Sequence, residues 1–236
     1  MNPDRFEPAL HALFDEFPVS PNPNGRRFTR VLDEVPGLAC ENNLALLNLA
    51  ASMLEPEESY VEVGSLRGTS LIAAMVGNDD ADFVAIDDFS MKDASRSQLE
   101  SNIEQFGLNL PTIVEGDAFQ VIPSGALAGK RVGVYYYDAG HAYEQQFDGL
   151  RMIEPWLADR ALLIVDDTDW EQVEQATRDY LEQQPKARLL VWIPGKDNGY
   201  PHWWEGVKAF AWESDAGVLP EPTARAAAVV ELGVER

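Results

Sequence analysis

The sequence predicts an α/β domain built on a mostly parallel sheet, doubly wound with helices on both faces, and three observations carry that prediction. The apolar run Tyr60–Val63 breaks into a turn punctuated by Gly64 and Gly68 and resumes at Ser70–Met75 as an apolar helix, giving the order strand, loop, helix. Four further β-rich runs, at 83–86, 112–114, 132–137 and 162–165, alternate with helical stretches, as the strands of a parallel sheet do. Beyond Tyr180, the runs 188–193 and 207–212 follow one another without a clear helix between them. They are expected as an antiparallel last strand pair at the sheet's edge, which brings the sheet to seven strands.

Taken in order, residues 1–20 offer a short amphipathic helix around Pro8 to Phe17. Pro18, Pro21, Pro23 and Gly25 then break the chain, so residues 1–40 read as an arm or lid. Glu41 to Leu54 is apolar nearly all round, as a helix packed between neighbours should be, and Pro56 closes it. The core is expected over 41–215, and 216–236 forms a tail with Pro220 and Pro222 whose apolar run AAAVVEL either pairs with another subunit or folds back. At 236 residues the whole is expected as a single domain.

Composition narrows the partners. Forty acidic residues against 18 basic ones give a net charge of −22, which repels phosphate backbones and anionic headgroups, so neither nucleic acid nor membrane is expected as a partner. No apolar run approaches the roughly 18 residues of a membrane span. The start MNPDRFEPAL lacks a basic region followed by an apolar core, so no signal peptide is expected. Cys40, the single cysteine, excludes an internal disulfide and suits a reducing compartment, and a cytoplasmic location is expected.

In an open parallel sheet, ligands bind outside the carboxyl ends of the strands, and the first loop after a strand usually lines that crevice. The dinucleotide fingerprint G-x-G-x-x-G fails in the loop at 64–68, because Leu66 stands where its second glycine is required, and the phosphate-binding G-x-x-x-x-G-K-[ST] pattern fails as well. What remains is Glu62-x-Gly64-x-x-x-Gly68-x-Ser70. Alone, this spacing also fits a glycine turn that holds no ligand.

Each later strand ends on a polar group. The second finishes in Asp87-Asp88, where one carboxylate suits a ribose diol and the other a turn cap. The third runs into Asp117, a ligand group or an N-cap. The fourth runs into Asp138-Ala-Gly-His141, and the fifth ends in Asp166-Asp167. If the fourth and fifth strands are neighbours, three carboxylates converge. A hard divalent cation such as Mg²⁺, with oxygen ligands in octahedral array, is one way to offset their repulsion.

The motif from Glu62 to Ser70 resembles the first motif of class I S-adenosylmethionine-dependent methyltransferases, in the version carried by small-molecule O-methyltransferases related to catechol methyltransferase. The stretch DAGHAYE is similar to the bacterial branch that includes macrocin-type sugar methyltransferases. The resemblance implies a Rossmann-like fold and methyl transfer from S-adenosylmethionine to a hydroxyl of a small molecule. Glu62, Gly64, Ser65, Gly68, Ser70, Asp87, Asp117 and Asp138 would hold the cofactor, and Asp138, Asp166 and Asp167 would hold Mg²⁺. His141 falls three residues after Asp138, where several relatives carry a lysine base. An imidazole there either takes the substrate's proton beside Asp138, orients a carboxylate or caps a helix. Relatives commonly self-associate, so the resemblance also implies a homo-oligomer. The same fold without metal, or a binding module without catalysis, are the alternatives. Asp169 and Trp170 follow the acid pair closely, where they border an acceptor pocket or, for Asp169, N-cap the next helix, and Tyr200, His202, Trp203 and Trp204 form an aromatic group suited either to a planar or sugar substrate or to packing.

Overall fold

The structure, a computed structural model, describes residues 1–91 and 94–214. The tail expected from 216 onward lies outside the described residues. Seven strands form one sheet: β1 (Ser59–Val63), β2 (Asp82–Asp87), β3 (Thr112–Glu115), β4 (Val132–Tyr137), β5 (Leu157–Asp166), β6 (Ala187–Ile193) and β7 (Val207–Glu213). Across the sheet they lie in the order β3-β2-β1-β4-β5-β7-β6. Pairs from β3 to β5 are parallel, whereas β7 runs antiparallel to both β5 and β6. The expected fold class is borne out, with β7 as the inner member of the late pair and β6 at the edge.

Eight helices flank the sheet among the described residues: α1 (Phe6–His11), α2 (Thr29–Glu34), α3 (Glu41–Ser52), α4 (Thr69–Met75), α5 (Arg96–Gln105), α6 (Ala118–Val121), α7 (Tyr143–Ile153) and α8 (Glu171–Gln183). The period-two alternation of the strands divides the core between the two faces. Tyr60, Ala85, Val134, Tyr136 and Ile164 pack with the residues of α1 to α5. Val61, Val84, Tyr135, Tyr137 and Val165 pack on the other face with α6, α7 and α8.

The amino-terminal segment corrects one expectation. Instead of a helix around Pro8 to Phe17, a 3₁₀ turn at Pro3–Arg5 runs into α1, which stops at His11. Beyond it the chain turns, and Phe14 and Phe17 fold onto Trp203, with ring centroids 5.7 and 6.1 Å away. Phe6, Leu10, Phe28, Val31 and Val35 are buried in the same core as α3 and α4, so this part of the chain is built into the domain.

The α3 helix is buried on nearly every side, as its pattern predicts, and its asparagines satisfy neighbouring backbone. Asn48 Nδ2 donates to the carbonyls of Ala73 and Val76 at the end of α4, both at 2.8 Å. Asn43 Oδ1 accepts from the Trp204 amide at 3.0 Å. No helix among the described residues is long and apolar enough to cross a membrane.

Trp203 answers one sequence alternative: it is fully buried and donates from Nε1 to the Pro18 carbonyl at 2.9 Å, which is a packing role. Trp203→Ala is expected to cost about 3–5 kcal/mol of stability. Trp192→Ala, at a ring 48% exposed on β6, is expected to stay within about 0.5 kcal/mol. Urea denaturation of the two variants checks both; equal costs would contradict the packing described.

Candidate functional site

Strand register places the candidate residues at one level. Val63 is paired with Tyr137, and Tyr137 with Val165, so Gly64, Asp138 and Asp166 leave three adjacent strands side by side. Because side chains alternate along a strand, Tyr136, Asp138 and Asp166 share one face of the sheet, the face that also carries Tyr60 and Glu62.

The glycine loop passes very close to the end of β4. Gly64 has φ of +94°, and a Cβ on it would stand 1.7 Å from the Asp138 carbonyl oxygen. Only glycine fits there. Leu66, the residue that breaks the dinucleotide fingerprint, adopts left-handed backbone at φ +48°. Its amide donates to Asp87 Oδ2 at 2.7 Å, while Asp87 Oδ1 accepts from the Phe89 amide at 2.6 Å. Asp87 therefore ties the end of β2 to the loop and keeps lone pairs for a ligand.

Above these strand ends lies a cavity of about 710 Å³, within the range of small-molecule sites. Gly64, Ser65, Asp87, Asp138, His141 and Trp170 all line it. Ser65 Oγ is buried with no hydrogen bond of full geometry, though close enough to Glu62 to oppose the rise of that acid's pKa. Ser70 and Asp117 also reach the lining, but Glu62 and Gly68 do not. Glu62 is wholly buried behind the loop, where Oε1 accepts from Ser70 Oγ at 2.8 Å and Oε2 from Tyr60 Oη at 3.1 Å. Burial pushes its pKa up to about 7 against those hydrogen bonds. Its role is to brace α4 against β1. Asp117 is the N-cap of α6, accepting from the Phe119 amide at 3.0 Å, and Asp88 caps a turn through the Ser90 amide at 2.9 Å.

The acid cluster is held by hydrogen bonds. Tyr136 Oη lies 2.6 Å from Asp166 Oδ2 and 3.2 Å from Asp138 Oδ2. Asp166 Oδ1 accepts from the Asp167 amide at 3.0 Å. Asp167 turns out of the strand in left-handed backbone at φ +56°, and its Oδ2 faces His141 Nε2 at 3.3 Å. The three carboxyls all titrate above the ordinary carboxylate range. Burial is the leading cause in each; for Asp138 the charges of Asp166 and Asp167 add to it. Burial likewise lowers the pKa of His141. Its ring leans on Trp170 at 4.7 Å, and its Nδ1 is buried without a partner. Ala142, not His141, is the N-cap residue of α7.

These contacts bear on the expected magnesium set. Asp138, Asp166 and Asp167 reach one strand edge, but both oxygens of Asp166 are engaged, and the phenol of Tyr136 stands between two of the carboxyls. Among the described residues no three His, Cys, Asp or Glu side chains form a set able to hold a metal ion. The donor set as arranged does not fit Mg²⁺.

Sequence reading missed Tyr136, which looks like one more apolar residue of β4. Period two would have found it, since it lies two residues before Asp138 and therefore beneath it on the same face. Trp170, not Asp169, is the N-cap position of α8, and Asp169 Oδ2 accepts from the Gly195 amide at 2.9 Å. It thereby fixes the β6–β7 connection that brings Trp204 and Glu205 to the cavity.

A doubly wound sheet whose last strand pair is antiparallel, with a glycine loop and acidic strand ends around one cavity, defines the class I methyltransferase architecture. Residues 61–168 match the family model described as a methyltransferase domain, a stretch that runs from β1 through the acid pair after β5. The match covers 61–168 of the 236 residues and agrees with the resemblance. Among solved structures it is similar to cofactor-bound Rv0187 from MTB, at 18% identity over 91% of this chain and 98% of that one, with a TM-score of 0.60. It is also similar to PaMTH1 of Podospora anserina bound to SAH, at 15% identity over 89% and 95%, with a TM-score of 0.60. A third is the O-methyltransferase TomG of Streptomyces achromogenes in complex with SAM, at 18% identity over 80% and 87%, with a TM-score of 0.58. The sequence has no match among curated proteins.

Gly64→Ala is expected to destabilise the fold by about 2 kcal/mol or more, since the added methyl meets backbone that cannot swing away. Gly129→Ala tests positive φ alone, because nothing lies within 4 Å of its Cβ position. Thermal melts showing Gly64→Ala no worse than Gly129→Ala would contradict the close approach.

Proposed function

We propose that this chain transfers a methyl group from S-adenosylmethionine to a hydroxyl of a small molecule, with His141 as the general base. The observation that carries the reading is the meeting, in one cavity, of the glycine loop and Asp87 on one side and the His141–Asp167 pair on the other. The solved neighbours bound to SAM or SAH support the choice of cofactor.

The residues present fit that cofactor. Ser65 lines the cavity and its Oγ is buried there with no hydrogen bond of full geometry, while the flanking amides of Gly64 and Leu66 are already given to Ile86 and Asp87 and hold the loop in place. Asp87 has acceptor sites for a diol beyond the two it uses on backbone. Asp117 and Phe119 line the cavity beyond Asp87, where a planar base would rest. When bound, the cofactor supplies a methyl group on a positively charged sulfur.

His141 then acts on the acceptor. With its pKa held below 6.5, the imidazole is neutral at pH 7 and able to take a proton. Nδ1 is the nitrogen without a partner and receives the hydroxyl proton, while Nε2–H faces Asp167, whose charge steadies the imidazolium. Burial disfavours the ionised form of Asp138, and the positive sulfur of the donor is the partner that would favour it. Trp170 and Trp204 give the acceptor apolar walls that keep water away. The magnesium-assisted version of this transfer needs Asp138 and Asp166 released from Tyr136, and no step here depends on it.

Calorimetric titration with S-adenosylmethionine tests the reading before any acceptor is known; absence of binding would remove it. Once an acceptor is found, His141→Gln is expected to lower kcat by about 10²–10⁴-fold with little change in cofactor affinity. In the unaltered enzyme, activity should fall as pH drops through the His141 pKa, below 6.5, because protonated imidazole accepts nothing. An acid limb that His141→Gln leaves in place would reassign the base.

A further inference from the structure

We infer that Tyr136 is a positioning residue that takes the place of a metal ion, its hydroxyl tying Asp138 to Asp166 so that the site works without a divalent cation. The inference rests on the methyltransferase reading only for what the site does; the geometry stands without it.

Two carboxyls at the ends of neighbouring strands repel each other and need a positive or hydrogen-bearing partner between them. Cations and hydroxyls meet that need at different distances. A hard cation requires oxygens at about 2.1 Å and several of them at once. Here the partner is a phenol at hydrogen-bond length from both, 2.6 Å to Asp166 and 3.2 Å to Asp138. The shorter contact takes the one phenol proton, so Tyr136 donates to Asp166, and the 3.2 Å contact is completed by Asp138 in its protonated form donating to the phenol oxygen.

The remaining oxygens are directed elsewhere. Asp166 Oδ1 takes the Asp167 amide, and Asp167 Oδ2 turns to His141. Asp166 is 2% exposed and does not line the cavity, whereas Asp138 and Asp167 do. The cluster is thus split: Asp166 is sealed beneath Tyr136 as a support, and Asp138 is held by one oxygen with the other left for the ligand. The phenol ring is itself fixed, since Tyr136 is 2% exposed and packed in the core on the α1–α5 face. Its strand neighbours at the same level are Glu62 and Ile164, so it cannot slide along the sheet.

The test is a titration of the full chain with Mn²⁺, followed by electron paramagnetic resonance of the free ion, beside a calorimetric titration of the same samples with S-adenosylhomocysteine. The wild-type chain is expected to show no saturable Mn²⁺ site, and a saturable site that Asp138→Asn abolishes would overturn the inference. Tyr136→Phe uncovers both carboxyls and is expected to gain Mn²⁺ affinity by about tenfold or more. A folded Tyr136→Phe protein that gains none would overturn the inference too, because a phenol that is merely structural creates no cation site when removed. If Tyr136→Phe does not fold, the wild-type titration alone decides, absence of a saturable site supporting the inference. Failure to bind S-adenosylhomocysteine removes the cofactor reading without altering the Mn²⁺ result.

Discussion

The close passage of Gly64 under the carbonyl of Asp138 is the constraint on which the rest of the site depends. The Asp138 amide donates to Val63 and the Gly64 amide to Ile86, both at 2.9 Å, so the last ladder bonds of β4 and β1 extend one residue past the regular strands. With no Cβ at Gly64 the two chains touch, and the loops that follow leave the sheet at one height. From that level come the left-handed turn at Leu66, the hold of Asp87 upon it, and the entry of α4 with Ser70 anchored to Glu62. A side chain at Gly64 would drive β1 and β4 apart and separate the loop from Asp138, His141 and Asp167 together.

A second constraint is the burial of carboxyls, set against the hydrogen bonds they receive. Desolvation is the leading influence on Glu62, Asp138, Asp166 and Asp167, and all four are pushed upward. Hydroxyls oppose it locally: Tyr60 and Ser70 at Glu62, Tyr136 at Asp138 and Asp166. The polar seam therefore survives in an otherwise apolar sheet because Glu62, Asp138 and Asp166 each meet a hydroxyl on their own face, while Asp167 turns out of the strand to His141. The chain's net charge of −22 plays no part in this, being a property of the whole surface, whereas the seam is decided within a few ångströms.

Much of this was legible in the sequence, and the reason is periodicity. Strands buried on both faces read as continuous apolar runs, and the acids that end them stand out, so the sheet, Asp87, Asp138 and Asp166-Asp167 follow from pattern. Residues whose importance depends on a partner across the sheet do not stand out. Tyr136 is one tyrosine in a run of three, and only its strand register with Glu62 and Ile164 sets it apart. Glu62 shows the converse. Its place in the motif is plain, but its parity sends the side chain behind the loop to brace α4. The segment before α3 reads as an arm because prolines interrupt it, while its burial rests on Phe6, Leu10 and Phe14 reaching a core contributed from far along the chain.

The same acids bear on turnover. Under the proposed reaction the donor carries a positive charge that the product lacks, and the cavity presents Asp87, Asp138 and Asp167 to it. A carboxylate that burial makes reluctant to ionise is steadied by a cation beside it, so donor and carboxylate stabilise each other while the neutral product does not. Loss of the methyl group then weakens what holds the cofactor and favours its exchange. Asp138 is the acid nearest the meeting of loop and base, and Asp138→Asn keeps its shape while removing its charge. The ratio of product to donor dissociation constants should therefore fall in that variant, and an unchanged ratio would show that charge at Asp138 does not discriminate the two.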